Sequence, residues 1–377
     1  MKFKNAIRRN LCYIVMDSYE RKAARSRARQ HVMYSFLNDY SEGAHEKILE
    51  ALVSTNREQT IGYGQDDICN QARDSIGALV QRPREQIHFL VGGTQVNMTV
   101  IAAALRPHQG VVAAVSGHIN IHESGAIEST GHKVLALPSS DGKVSADAVE
   151  SFVRGHYEDA TAEHMVQPGI LYISQPTEVG TLYSKDELTR LYNVCHRYGM
   201  RLYVDGARLG CALTAEGSDV TLPDLARLTD AFTIGGTKMG ALFGEALVIN
   251  DPSLNQDFRY QIKQKGGMLA KGRLLGLQFR ALFTDDLYYT LAGFANGQAK
   301  RLREGIAALG YSFFVDSPTN QVFPIFPKHV LQQISQSFLY SFWQPYDAEH
   351  DVIRLCTSWA TDPAQIDRFL TLLKSCR

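Results

Sequence analysis

Lys238 stands in a run of small residues, Thr233-Ile234-Gly235-Gly236-Thr237-Lys238-Met239-Gly240, directly after a segment that reads as a buried strand, Asp230 to Ile234. A lysine in such a place loses hydration. A desolvated amine of lowered pKa is what Schiff-base chemistry requires, because only the neutral form attacks a carbonyl. Glycine and threonine beside it let a ligand approach the backbone closely. Taken alone, the same lysine reads as a solvated loop residue, so its company decides.

Upstream, Arg201-Leu202-Tyr203-Val204-Asp205 is an apolar strand that ends in an aspartate and turns at Gly206. In a chain that alternates strands and helices, that end faces the ligand crevice; the competing role is a helix N-cap. A strand-end carboxylate followed by a lysine in a small-residue turn suggests pyridoxal phosphate, with the lysine for its aldehyde and Asp205 for its pyridinium nitrogen. The turn Gly92-Gly93-Thr94, between the strand Ile87 to Val91 and a helix, exposes backbone N–H groups and a hydroxyl at a helix N-terminus. That is a cradle for a phosphate dianion, although a Gly-rich turn is also common punctuation. His118 follows the strand Val111 to Val115, where an imidazole can stack on a flat ring, with His122 one helical turn on; Glu123 reads as structural. Arg354 is a lone charge in the apolar strand Val352 to Thr357 and must be paired. A guanidinium fork suits a carboxylate.

Gly93-Thr94-Gln95-Val96-Asn97, Asp205-Gly206-Ala207-Arg208 and Thr237-Lys238, in that order, resemble the threonine aldolases, which belong to the fold type I pyridoxal-phosphate enzymes. The match runs from about Phe36 to the C-terminus. The resemblance implies that Gly93 and Thr94 hold the cofactor phosphate, that His118 covers the pyridine face and that Lys238 carries the cofactor. It gives Arg354 the substrate's α-carboxylate, with Arg208 a second candidate for cofactor or carboxylate. Asn38 falls where the family usually has a serine near that carboxylate; the competing reading is an Asx turn. Glu178 falls where well-known members carry a second histidine facing the substrate β-hydroxyl. A carboxylate raised in pKa by burial can do the same general-base work; His118, acting directly or through water, is the other candidate for that base. The resemblance also implies that a basic residue of the segment Gln261 to Met268, assigned to Lys263, reaches a phosphate across a subunit interface; the competing reading of this cluster is a solvated face. No metal is implied.

The implied reaction is cleavage of L-threonine, or of a related L-β-hydroxy-α-amino acid such as allo-threonine or phenylserine, to glycine and an aldehyde. The assembly implied is a homodimer or homotetramer with shared active sites. Two alternatives stand beside it: a β-eliminating lyase of the same fold, and a non-enzymatic ligand-binding module in which Lys238 is ordinary.

These residues need a frame that brings strand ends together. The 377-residue chain suggests two domains of unequal size. The expected class is α/β: a basic, disordered extension over 1–32 with Met33 an alternative start, an N-terminal arm with a large, mostly parallel-sheet domain over 33–274, and a small α+β domain over 275–377. In the latter, Phe313 to Val315, Gln321 to Phe326 and Val352 to Cys356 suggest a small sheet, reached through one or two long helices from Leu274 to Leu309. Lys+Arg and Asp+Glu both number 39, which predicts no net attraction to nucleic acid or an anionic membrane. No apolar run approaches the roughly 20 residues of a membrane span. The six cysteines lack paired spacing, against a disulfide framework or metal knuckle and for a reducing, cytoplasmic setting.

Overall fold

The computed structural model describes residues 33–376; the expectation of a disordered arm over 1–32 lies outside the described residues. Strand β1 (Tyr34–Ser35) belongs to the arm. Seven more, β2 (Ile87–Leu90), β3 (Gln109–Ala114), β4 (Val134–Leu137), β5 (Gln167–Ser174), β6 (Arg201–Asp205), β7 (Ala231–Gly235) and β8 (Glu245–Ile249), form one sheet in the order β2-β8-β7-β6-β5-β3-β4. Every pairing in it is parallel except the two made by β8.

Strands covered on both faces must be apolar throughout, and β7 and β8 are buried at every position. The covering helices are amphipathic. Lys185–Arg197 buries Leu188, Leu191, Val194 and Cys195 and starts in a capping box between Ser184 and Glu187. It closes before Gly199, whose φ of +67° suits glycine.

The second layer centres on β13 (His350–Cys356), which pairs antiparallel with β9 (Gln321–Val322), β10 (Ile325–Pro327) and β12 (Ser341–Pro345). The segment expected as a strand at Phe313 makes only an isolated bridge, Phe313 to Pro324. Strand β12 carries no alternation that could have revealed it, because none of its residues is fully buried. The arm joins this layer: β1 runs parallel to β11 (Phe338–Leu339), and the buried Phe36 stacks on Phe338 at 5.8 Å between ring centroids.

The stretch Leu274 to Leu309 forms two helices, Arg273–Leu282 and Leu287–Ala308, broken where Asp285 and Asp286 take positive φ. The expected domain division at 274/275 falls inside the first helix, which packs on the large-sheet helix Asp67–Val80. The second packs on both Leu209–Leu213 and the C-terminal helix Pro363–Ser375, so it spans the two layers.

Candidate active site

Loops leaving the carboxyl ends of β2, β3, β5, β6 and β7 converge on one cavity of about 330 Å³, whose lining includes Gly93, Thr94, His118, Glu178, Asp205 and Lys238. The ends of β6 and β7 meet closely because they are glycine. The Gly235 N–H donates to Gly206 O at 2.9 Å, and a Cβ at Gly235 would lie 2.3 Å from Ala207 O. That contact sets the Asp205 turn against the Lys238 turn.

Asp205 is 5 % exposed and held on both oxygens. Its Oδ1 accepts from Ala207 N at 2.9 Å, while Oδ2 accepts from Tyr172 Oη at 2.7 Å and Asn97 Nδ2 at 3.0 Å. The same amide reaches Glu123 Oε1 at 2.8 Å, and that oxygen lies 2.9 Å from His118 Nδ1. A carboxylate accepts, so this contact keeps a proton on Nδ1 and fixes the ring. A continuous chain of hydrogen bonds thus joins Asp205 to His118. His122, with its ring centroid 5.5 Å from that of His118, is exposed, and burial followed by the neighbouring His118 pulls its pKa below the ordinary value.

Lys238 finds no hydrogen-bond or ion partner among the described residues. Burial, then the Arg208 guanidinium, lowers its pKa, against the opposing pull of Asp39, Asp205 and Glu245. Glu178 is held on one oxygen: Oε1 accepts from Ser174 Oγ at 2.6 Å and from His118 N at 2.9 Å. Burial raises its pKa although both bonds oppose it.

A second cavity, of about 740 Å³, opens beside the first and adds His122, Phe314, Phe342, Trp343 and Arg354. His118, Glu178, Arg208 and Lys238 line both. Arg354 has no ion partner among the described residues. Its contacts to Gln321, Leu37 and Ser341 are long, 3.3–3.4 Å, and its buried Nε is unpartnered. No structural ion pair therefore accounts for it.

Three sequence expectations land differently. Asn38 lines neither cavity; its Oδ1 accepts from Tyr40 N and Ser41 Oγ, both at 3.0 Å, which is the Asx turn. The next residue, Asp39, turns inward instead and grips Arg208 from Nε at 2.6 Å. That pairing occupies part of the guanidinium expected to meet a ligand, although Arg208 still lines both cavities. Lys263 is exposed and outside the cavity in this chain, its Nζ 4.8 Å from the Tyr63 ring centroid.

Sequence reasoning missed Asp39, Glu245 and the positioning part of Glu123. Glu245 was detectable by the argument used for Arg354, since it is a lone charge opening the apolar run Glu245–Ile249. Asp39 had no local signal.

The residues present fit pyridoxal phosphate. Lys238 is an unpaired amine, and Asp205 is a fixed carboxylate. The helix Gly93–Ala104 has no side-chain cap at Gly92, and a Cβ at Gly92 or Gly93 would meet nothing within 4 Å, so open cavity stands before its free N–H groups.

Residues 36–327 match the profile of the beta-eliminating lyases. The chain is 28 % identical over 350 residues to the low specificity L-threonine aldolase of Pseudomonas aeruginosa, covering 91 % of this chain and 96 % of that one. Its fold superposes on a solved threonine aldolase of Leishmania major with a TM-score of 0.88 at 44 % identity, over 91 % of this chain and 99 % of the other. An aspartate aminotransferase of Thermus thermophilus shares the fold, with a TM-score of 0.68 at 14 % identity over 96 % of both chains.

Proposed function

The chain belongs to the beta-eliminating lyase family, and from that premise we propose that it is a pyridoxal-phosphate-dependent aldolase of fold type I. It cleaves L-threonine, or a related L-β-hydroxy-α-amino acid, to glycine and an aldehyde. The observation that carries the reading is the shared wall of the two cavities. The amine, the phosphate cradle and a carboxylate anchor without an ion-pair partner among the described residues border two cavities that share His118, Glu178, Arg208 and Lys238 in their lining.

Pyridoxal phosphate, when bound, supplies a sink for the electron pair left on Cα. The residues do the rest. Gly93 and Thr94 would hold the phosphate, Asp205 would keep a proton on the ring nitrogen, and His118 would cover the ring. Arg354 would grip the substrate carboxylate and so orient the substrate in the larger cavity. Glu178 takes the β-hydroxyl proton on Oε2, the oxygen free of hydrogen bonds among the described residues. Its raised pKa suits a base working near neutrality.

The active unit is a homodimer or homotetramer with shared sites. The exposed apolar side chains Ile61, Tyr63 and Tyr260 support this, Tyr63 lying against Lys263. The cytoplasm is the compartment, a setting that suits the free, buried cysteines among the described residues. No helix among the described residues is long and apolar enough to cross a membrane.

The test is a product screen on L-threonine, phenylserine and serine. Glycine with acetaldehyde or benzaldehyde is expected; pyruvate and ammonia from serine, without glycine, would make the protein a β-eliminating lyase instead.

A further inference from the structure

Glu245 opens β8, the one strand that runs against the sheet. Its register partners are Leu90, the last residue of β2, and Gly235, the last residue of β7. One neighbour leads within three residues to Gly93, the other within three to Lys238. The carboxyl therefore sits between the phosphate cradle and the lysine and lines the smaller cavity with both. It is 4 % exposed. Among the described residues its carboxyl has one hydrogen bond, a long one from Thr237 Oγ1 to Oε1 at 3.3 Å; Oε2 is buried and unpartnered. No cation lies within ion-pair reach among the described residues.

A phosphate dianion and an ionised carboxylate cannot share such a space without a large repulsion, because little water screens them. A positively charged partner or a proton on the acid relieves it. Among the described residues of one chain the immediate surroundings hold no spare cation, since Arg208 is taken by Asp39 and Lys238 is the amine that engages the cofactor; a basic residue of a partner subunit at the phosphate would neutralise the pair instead and leave no proton uptake. We propose that Glu245 takes up one proton from solvent when the cofactor binds and donates it as a hydrogen bond to the cofactor's phosphate. A carboxyl that buries itself unpaired beside a helix N-terminus then has a reason to be there: it is a neutral donor completing the cradle. Burial, with Asp205 adding to it and Lys238 and the Thr237 bond opposing, already raises its pKa to about 8, the direction such a donor needs, so uptake of a full proton on binding is confined to pH above that value.

The inference rests on the pyridoxal-phosphate reading, and the test separates the two. The probe is pyridoxine 5′-phosphate, which has no aldehyde and so leaves Lys238 unmodified, titrated calorimetrically into the cofactor-stripped full chain. Work above about pH 8 keeps a phosphate monoester, with its second pKa near 6, dianionic. Proton uptake is read by repeating the titration in buffers of different ionisation enthalpy. Wild type is expected to take up more protons than E245Q, by up to one, and to weaken by as much as about tenfold per pH unit where Glu245 is ionised before binding. E245Q keeps a donor and loses that part of the pH dependence. Equal uptake by the two proteins, or equal pH slopes, overturns the proposal while leaving the cofactor reading intact. Failure of wild type to bind either the probe or pyridoxal phosphate at any pH overturns both. Should E245Q not fold, inorganic phosphate on Lys238→Ala decides: neither a pyridine nor the lysine amine can take the proton, so uptake is expected and its absence overturns the proposal.

Discussion

Asp39 and Arg208 hold each other through two parallel contacts, Nε to Oδ2 at 2.6 Å and Nη2 to Oδ1 at 3.0 Å, with Asn320 Nδ2 adding a third to Oδ2 at 2.8 Å. Asp39 is wholly buried, and Arg208 nearly so, at 13 % side-chain exposure. Burial would raise the Asp39 carboxyl, but Arg208, with Lys238 behind it, holds it at about 2. The pair ties the N-terminal arm to the turn that follows β6.

Removing one partner strands the other, at a cost of about 3–5 kcal/mol for a buried pair. Asp39→Asn is expected to lower the unfolding free energy by that order in a denaturant titration at neutral pH. The sign with pH follows from a folded pKa below the unfolded value of about 3.9. The contribution is complete above the unfolded value and drains away as pH falls through about 2. Wild type and variant should therefore converge in acid. Curves that stay equally separated down to that pH would point to lost packing rather than lost charge.

Lys238→Ala is expected to fold, to lack the cofactor's visible absorption band and to turn over negligibly. The measurement is an absorption spectrum with and without borohydride. A variant that still traps cofactor on the protein would move the carrier to another lysine.

Arg354→Ala should weaken amino-acid binding and leave cofactor absorbance alone. Loss of a charge-assisted contact to a buried carboxylate costs on the order of 2–5 kcal/mol, read as a rise in KM. An unchanged KM, or loss of cofactor, would speak for a structural arginine.

Glu178→Gln keeps the shape and the bonds from Ser174 and His118 but removes the base. Aldol cleavage should fall by about 10²–10⁴-fold, the usual share of general-base catalysis. Exchange of the glycine α-proton should survive, since it needs no β-hydroxyl. Because burial raises this carboxyl and only its ionised form accepts a proton, wild-type cleavage should decline as pH falls through that raised pKa. The variant should lose this acid limb. Joint loss of cleavage and exchange would mean that Glu178 braces its loop or the cofactor.

Much of the site was legible before any coordinates, for a physical reason. Lys238, Asp205, His118 and the Gly92 to Thr94 turn each follow a strand end, and a strand end announces itself within a few residues by an apolar run that stops at small or polar residues. Asp39 could not be read that way. Its partner lies 169 positions away, and whether Asn38 or Asp39 points inward depends on how the arm leaves β1. Glu123 looked merely structural because its value lies in bridging Asn97 to His118, a contact only the packed helices create. Strand β12 was invisible because none of its residues is fully buried, so no alternation of buried and exposed positions marks it.

Strand β2 occupies one margin of the large sheet and pairs with β8 alone. It is made early, but its only neighbour comes from far downstream, after every other strand of that sheet. Loop-closure entropy makes such distant pairings late events. The turn bearing Gly93 and Thr94 therefore reaches its place beside Lys238 only when nearly the whole large layer has been assembled. A nascent or partly refolded chain holds the lysine and the cradle apart, and a ligand that needs both rewards only the finished arrangement.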